Sequence, residues 1–298
     1  MINKPDFLIV GAAKSGTTSL CHSLGQHRDI FISNPKEPKF FTYEFLKEYY
    51  LGPGDDFTKK KAVKSYEEYL RLFAKAKPNQ IIGEGSVDNL FYYKWAIPII
   101  KNLLGDPKII IMLRSPSLRA FSAYSHLIRD GRETLSFKEG LNNETDRMNE
   151  GYEFIWAYKE ASKYYDSVKA YKENFSNVKV IIFEKFIQNK KEGIKDVLNF
   201  LNQDTSILKN IKFEKQNISG KPKKKWINKI LLKDSFLKTI VKSIFPETKR
   251  QNLKQWLLNK NLEPIGKDES QIHLLKSEFE DDISKLEKLL GIDLSIWK

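Results

Sequence analysis

The chain has 298 residues, 41% hydrophobic and 12% aromatic, enough to bury a sizeable core as one large domain or two small ones. That balance excludes disordered and collagen-like classes. Lys and Arg total 51 against 38 Asp and Glu, a net charge of +13 that points to an anionic partner: nucleic acid, a membrane face or a small acidic ligand. A single cysteine, Cys21, excludes an internal disulfide and any multi-cysteine zinc site. The four histidines lack metal-ligand spacing, so no metal is expected. No leader segment is visible, and no run approaches the ~20 apolar residues of a membrane span, so the expectation is a soluble cytoplasmic protein.

The first element is Phe7-Leu8-Ile9-Val10, a short apolar run that reads as a buried parallel strand. A loop follows, Gly11-Ala12-Ala13-Lys14-Ser15-Gly16-Thr17-Thr18, and then a helix over Ser19–Gln26 with Leu20 and Leu24 one turn apart. Further strands are predicted at Gln80–Gly83, Lys108–Leu113 and Val178–Phe183. Helical patterns fall at roughly 64–77, 91–104, 116–129, 158–174 and 191–202. Strands alternating with helices predict an α/β fold with a central parallel sheet flanked by helices. In such sheets ligands collect at the carboxyl ends of the strands.

The final third is different. Residues 203–226 are polar and basic, 227–245 mix apolar residues with lysines, and Glu278–Leu290 repeats apolar residues on one helical face. With no repeat and no Pro/Gly linker, the expectation is one domain over 1–298, a core of about 1–202 with a helical C-terminal extension. Residues 227–245 are read as a helix packed on the body, with peripheral membrane contact as the alternative.

Gly11-x4-Gly16 between strand and helix has the spacing of a phosphate loop, where backbone N–H groups and the helix N-terminus favour an anion. A nucleoside-triphosphatase loop would continue Gly-Lys-Ser/Thr. Here Thr17-Thr18 follow, and the lysine lies inside the loop as Lys14. No second strand ends in an acid to hold magnesium, which disfavours a P-loop kinase or nucleotide switch, the rival enzyme class. A second cluster leaves the Lys108–Leu113 strand: Arg114-Ser115-Pro116-x-x-Arg119-x-x-Ser122. Arg119 and Ser122 are three residues apart on a helix that Pro116 can start. Alone, the cluster fits a surface ion-pair network equally well. Beside the first loop it implies a ligand with two separated phosphates. Only eight of the 51 basic residues are Arg, so the charge has little of the bidentate character that reads nucleic acid, and none is expected as partner.

These segments resemble the sulfotransferases that use 3′-phosphoadenosine 5′-phosphosulfate (PAPS) and release adenosine 3′,5′-bisphosphate (PAP). Phe7–Leu20 looks like their 5′-phosphosulfate loop and Leu113–Tyr124 like their 3′-phosphate motif. Lys36-Glu37-Pro38-Lys39-Phe40-Phe41 is similar to a segment of the heparan sulfate and bacterial carbohydrate branch. Further matches are Gly83-Glu84, Asn217–Pro222 and Leu289–Trp297. The resemblance implies that Lys14 contacts the phosphosulfate bridge. It places Ser15, Gly16, Thr17, Thr18 and Ser19 on the 5′-phosphate, and Arg114 and Ser122 on the 3′-phosphate. Ser219, Gly220, Lys221 and Lys223 belong to a loop that would close over the nucleotide. Glu37 matches the general base, and the acceptor would be a glycan or another hydroxylated molecule, a lipid included. The chain departs from the heparan-type pattern at Lys39, usually His, and at Gly85, usually Lys. Glu84 and Asp88 are therefore reserve bases, while His126, at helical spacing from Ser122, is read as structural. Tyr43, Tyr49, Tyr50, Trp95 and Trp156 are the ring-stacking candidates for the acceptor.

Overall fold

The computed structural model describes residues 3–209, 211, 221–223, 261–263, 266 and 269–298. Strand β1 (Phe7–Gly11) leads through α1 (Thr17–Leu24) to β2 (Ile30–Ile32). Helices α2 (Phe40–Leu46), α3 (Asp55–Lys61) and α4 (Tyr66–Arg71) precede β3 (Ile81–Glu84), and α5 (Tyr93–Leu104) carries the chain to β4 (Lys108–Leu113). After β4 come α6 (Pro116–Arg129), α7 (Phe137–Asn142), α8 (Glu144–Asn149) and α9 (Tyr165–Asn174). Strand β5 (Val178–Ile182) is followed by α10 (Phe183–Gln188) and α11 (Lys190–Phe200), and the chain closes with α12 (Glu269–Glu278) and α13 (Glu280–Leu290).

The five strands form one sheet in the order β2-β3-β1-β4-β5, each neighbouring pair parallel. Phe7 lies in register with Gly83 on one side and Lys108 on the other. The chain leaves β1 toward β2 but leaves β4 toward β5. The loops after β1 and β4 therefore diverge from adjacent strands and leave a crevice, the switch point where open α/β sheets bind ligands.

Both faces are covered. Leu8, Val10, Ile109, Ile111 and Leu113 pack against α5, α6 and α9, while Phe7, Ile9, Ile110 and Met112 pack against α1 and α11. The alternation follows the two-residue period of a strand, and burial of both faces explains the uninterrupted apolar runs. Gly83 is required by this packing: a Cβ there would sit 2.2 Å from the Phe7 ring.

The α/β class, the four predicted strands and most helices agree with the sequence. Three local differences have physical causes. α1 begins at Thr17, because Gly16, at φ +94°, turns the chain directly into the helix. Phe183 opens α10 instead of ending β5. β2 is a three-residue edge strand, too short to show a period, yet Ile30–Ile32 pairs with Ile81–Gly83.

The described part of the C-terminal extension packs on the body. Asp282 of α13 accepts hydrogen bonds from the Tyr164 and Tyr165 N–H groups at the start of α9 (2.8 and 3.1 Å). Trp297 is buried, and its indole N–H donates to Glu184. The other Glu184 oxygen accepts the Ser115 N–H, so the chain end is tied to the loop after β4. Among the described residues, no helix is long and apolar enough to cross a membrane. The predicted 227–245 helix, and Ser219 and Gly220, lie outside the described residues.

Candidate active site

A cleft of about 1210 Å³ opens at the switch point. Lys14, Gly16, Thr17, Thr18 and Ser19 form one wall, Arg114 and Ser122 a second, and Glu37 with Lys39 a third. One cavity thus gathers most of the sequence-predicted site.

The loop is built for close approach. Lys14 holds φ +71° and Gly16 φ +94°. A Cβ at Gly16 would meet the Phe183 ring at 2.7 Å. The first-turn N–H groups of Thr17, Thr18 and Ser19 have no carbonyl four residues back within α1, leaving donors at a positive helix end. Ser15 differs from its neighbours: it is fully buried and its side chain is not part of the cleft wall. Burial pushes the Lys14 amine down to about 7, with the Arg129 charge the next contribution.

Arg114 bridges the two loops. Its Nη1 donates to the Lys14 carbonyl at 3.3 Å, and its guanidinium lies 5.2 Å from the centre of the Phe183 ring. Ser122 faces the cleft together with Ser125, His126 and Arg129, the i, i+3, i+4 and i+7 positions of one α6 face. Arg119 does not join them. It is fully buried, and it donates from Nε to the Ala13 carbonyl and from Nη1 to the Ala157 carbonyl. The expected convergence of Arg119 with Ser122 is therefore replaced by a brace behind the phosphate loop, because those buried carbonyls require a donor.

Glu37 sits at the opposite end of the Lys14 loop. Lys36 Nζ donates to its Oε1 at 2.7 Å and to Thr17 Oγ1 at 3.3 Å, which links the Glu37 segment to α1. Burial raises the Glu37 carboxyl, but Lys36 and then Lys39 outweigh it and hold the group below the ordinary carboxylate range. The reserve acids lie behind this layer. Glu84 is fully buried and accepts from the Ser86 N–H and hydroxyl (3.1 and 2.7 Å). Burial pushes it up to about 8. Asp88 accepts from the Thr42 hydroxyl at 2.7 Å and lies 3.9 Å from Lys39 Nζ. Neither lines the cleft, whereas Glu37 does.

The far end of the cleft holds residues that the motifs did not reveal. Lys39 Nζ is 3.7 Å from Glu153, and Glu153 also pairs with Arg132 at 3.1 Å. Arg132 and the Trp156 indole N–H both donate to buried Asp55. His126 lines the cleft too, its Nδ1 2.7 Å from Arg129. Burial and then Lys14 hold His126 well below its ordinary value, so it is neutral. The α6 positions could have been read from helical spacing, but nothing local marks Glu153, which arrives from a 3-10 turn more than a hundred residues beyond Glu37 in the chain.

Lys221 and Pro222 pair with Glu263 and Leu262 as a two-stranded ribbon against α6, and the Lys223 N–H donates to the Asn261 carbonyl. Lys223 is exposed and does not line the cleft.

The sulfotransferase family model matches residues 5–206, and the chain belongs to that family. A sulfotransferase from Alicyclobacillus acidocaldarius is 33% identical, with a TM-score of 0.77 and 99% of each chain covered. The mouse bifunctional heparan sulfate N-deacetylase/N-sulfotransferase 3 is 28% identical over 122 residues, 41% of this chain and 13% of that protein. The Dictyostelium discoideum membrane-associated sulfotransferase kil1 is 28% identical over 167 residues, 53% of this chain and 32% of that protein. The chain thus spans a third or less of the length of these curated relatives. Family and fold together make it a sulfotransferase, an enzyme of sulfuryl transfer.

Proposed function

We propose that the chain transfers a sulfuryl group from PAPS to a hydroxyl or amine of a carbohydrate-type acceptor, with Glu37 as general base and Lys14 at the leaving phosphate. The observation that carries the reading is the convergence of Lys14, Arg114, Ser122 and Glu37 on one cleft at the switch point. The residues fit the donor: the first-turn N–H groups suit the 5′-phosphate, and Arg114 with Ser122 offers a separate anion site. When bound, the donor supplies the sulfuryl group and a phosphate leaving group.

The acceptor oxygen or nitrogen forms a bond to sulfur as the bond from sulfur to the bridging phosphate oxygen breaks. Charge grows on that oxygen, and the Lys14 ammonium stabilises it in a partly dry site. The acceptor proton passes to Glu37, which the lysines keep ionised and therefore able to accept it. Lys36 orients that carboxylate through its 2.7 Å contact. The carbohydrate acceptor class draws support from the similarity to the mouse heparan sulfate N-deacetylase/N-sulfotransferase 3.

The test is transfer of labelled sulfuryl from PAPS to a panel of heparosan, de-N-acetylated heparosan and neutral oligosaccharides. Labelled product with any of them supports the carbohydrate reading. Hydrolysis or transfer only to non-carbohydrate hydroxyls would overturn the acceptor class and leave the reaction intact.

A further inference from the structure

The segment Leu289–Trp297, singled out in the sequence, is not explained by the walls of the donor cleft. Leu294 and Trp297 are buried, and the turn between them is closed by the Trp297 N–H on the Leu294 carbonyl (2.9 Å). Asp293 caps that turn, accepting from the Ser295 N–H and hydroxyl (2.8 and 3.0 Å). The Leu294 N–H donates to Glu287 of α13 at 2.8 Å, and Lys185 of α10 donates to the Asp293 carbonyl at 3.2 Å. These bonds hold a buried indole at one fixed place, outside the cleft lining.

What that indole holds is a carboxylate. Its N–H donates to Glu184 Oε2 at 2.9 Å, while Glu184 Oε1 accepts the Ser115 N–H at 3.0 Å. The carbonyl of the same peptide unit, that of Arg114, accepts the Tyr164 hydroxyl at 3.0 Å. The peptide joining Arg114 to Ser115 is therefore pinned at both of its polar atoms, which sets the direction in which the Arg114 side chain leaves the backbone. Trp297 and Tyr164 also meet, with ring centres 6.1 Å apart, so both pins belong to one packed group. Phe183, the residue before Glu184, lies 5.2 Å from the Arg114 guanidinium. Burial pushes Arg114 below its ordinary value, and the Glu184 charge is the first to oppose that shift. Glu184 meets two N–H donors with separate oxygens, which suits a carboxylate; a glutamine would turn an NH2 donor toward one of them.

We propose that Glu184 and Trp297 are positioning residues for the second anion site: through the Arg114–Ser115 peptide they aim the Arg114 guanidinium at the 3′-phosphate of the donor. The chain end, although it lies outside the cleft, thereby sets the discrimination between a nucleotide with two phosphates and one with a 5′-phosphate alone. The proposal rests on the donor reading above and extends it to residues that line no part of the cleft.

Calorimetric titration of the full chain with PAP and with adenosine 5′-phosphate tests it, on wild type, Glu184→Gln and Trp297→Phe, with melting temperatures recorded alongside. Glu184→Gln should weaken PAP by about tenfold, and Trp297→Phe, which keeps a ring but removes the donor, by about threefold. Adenosine 5′-phosphate should bind each variant as it binds wild type. The double variant should bind PAP about as Glu184→Gln does, because both changes act through one carboxylate. A merely structural brace would lower the melting temperature without moving the ratio of the two affinities. The proposal is overturned if that ratio stays at its wild-type value in either variant, whether neither nucleotide weakens or both weaken together, or if the two losses simply add in the double variant. The donor reading fails separately if the wild-type chain itself binds the two nucleotides equally; that outcome removes the 3′-phosphate role of Arg114 and the proposal with it.

Discussion

The donor cleft and a second, smaller cavity share a wall and are built by opposite rules. The donor cleft is made from strand ends: a short loop, a helix N-terminus, one arginine and one serine at fixed spacings, with lysines that leave a net positive field. The second cavity, of about 400 Å³ and lined largely by rings, draws mostly on α2, α5, α9 and the 152–164 turns, and meets strand ends only at Ala12 and Ala13 after β1 and Val87 after β3. The first is lined by charged and polar groups and can be recognised from local sequence. The rings of the second come from four stretches of the chain, 45–49, 91–95, 152–154 and Tyr164.

The largest effects should fall on the donor side. Glu37→Gln removes the base but keeps the volume, so turnover should drop by about 10²–10⁴ with PAP affinity close to wild type, measured by initial rates and calorimetry. Equal loss in both would mean that Glu37 belongs to nucleotide binding. Lys14→Ala should lower transfer by about 10²–10³ with an unchanged unfolding temperature, since it acts on the leaving oxygen. Arg114→Ala should weaken PAP by about 10–100-fold and barely alter adenosine 5′-phosphate. Equal loss for both nucleotides would dissolve the separation of the two phosphate sites.

A pH titration sharpens the same side. In the free protein Lys14 titrates at about 7, and a bound phosphate favours its ammonium form. PAP affinity should therefore be flat below pH 7 and fall as pH rises through it, by up to about tenfold per unit until the bound-state value is reached. Lys14→Ala should flatten that dependence. The smallest effect lies at the contact between α13 and the start of α9. Asp282→Ala removes acceptors from the first N–H groups of α9, and should lower stability by ~1 kcal/mol, about 2–4 °C in Tm, with PAP affinity unchanged.

The contrast also accounts for what could be read from the chain alone. Phe7–Val10 and Lys108–Leu113 announce buried strands because both of their faces are covered. The loop after each inherits its place from them, which brings Arg114 Nη1 within 3.3 Å of the Lys14 carbonyl. Arg119 misled because spacing on a helix does not say which carbonyls lie behind it. Ser15 has a buried side chain, because a loop residue is as free to turn inward as outward. Lys39 and Glu153 carry a buried pair joined only by the fold, and no sequence period connects positions 39 and 153. Of the ring candidates, Tyr49 and Trp95 reach the second cavity while Tyr50 and Trp156 pack in the core, a division made by tertiary contacts alone.

The central claim is that two separate anion sites, built from the ends of β1 and β4, select a nucleotide with two phosphates. Paired calorimetric titrations of the wild-type chain with PAP and with adenosine 5′-phosphate test it most directly. The account predicts that PAP binds about tenfold tighter or more. Equal affinity for the two nucleotides would contradict it.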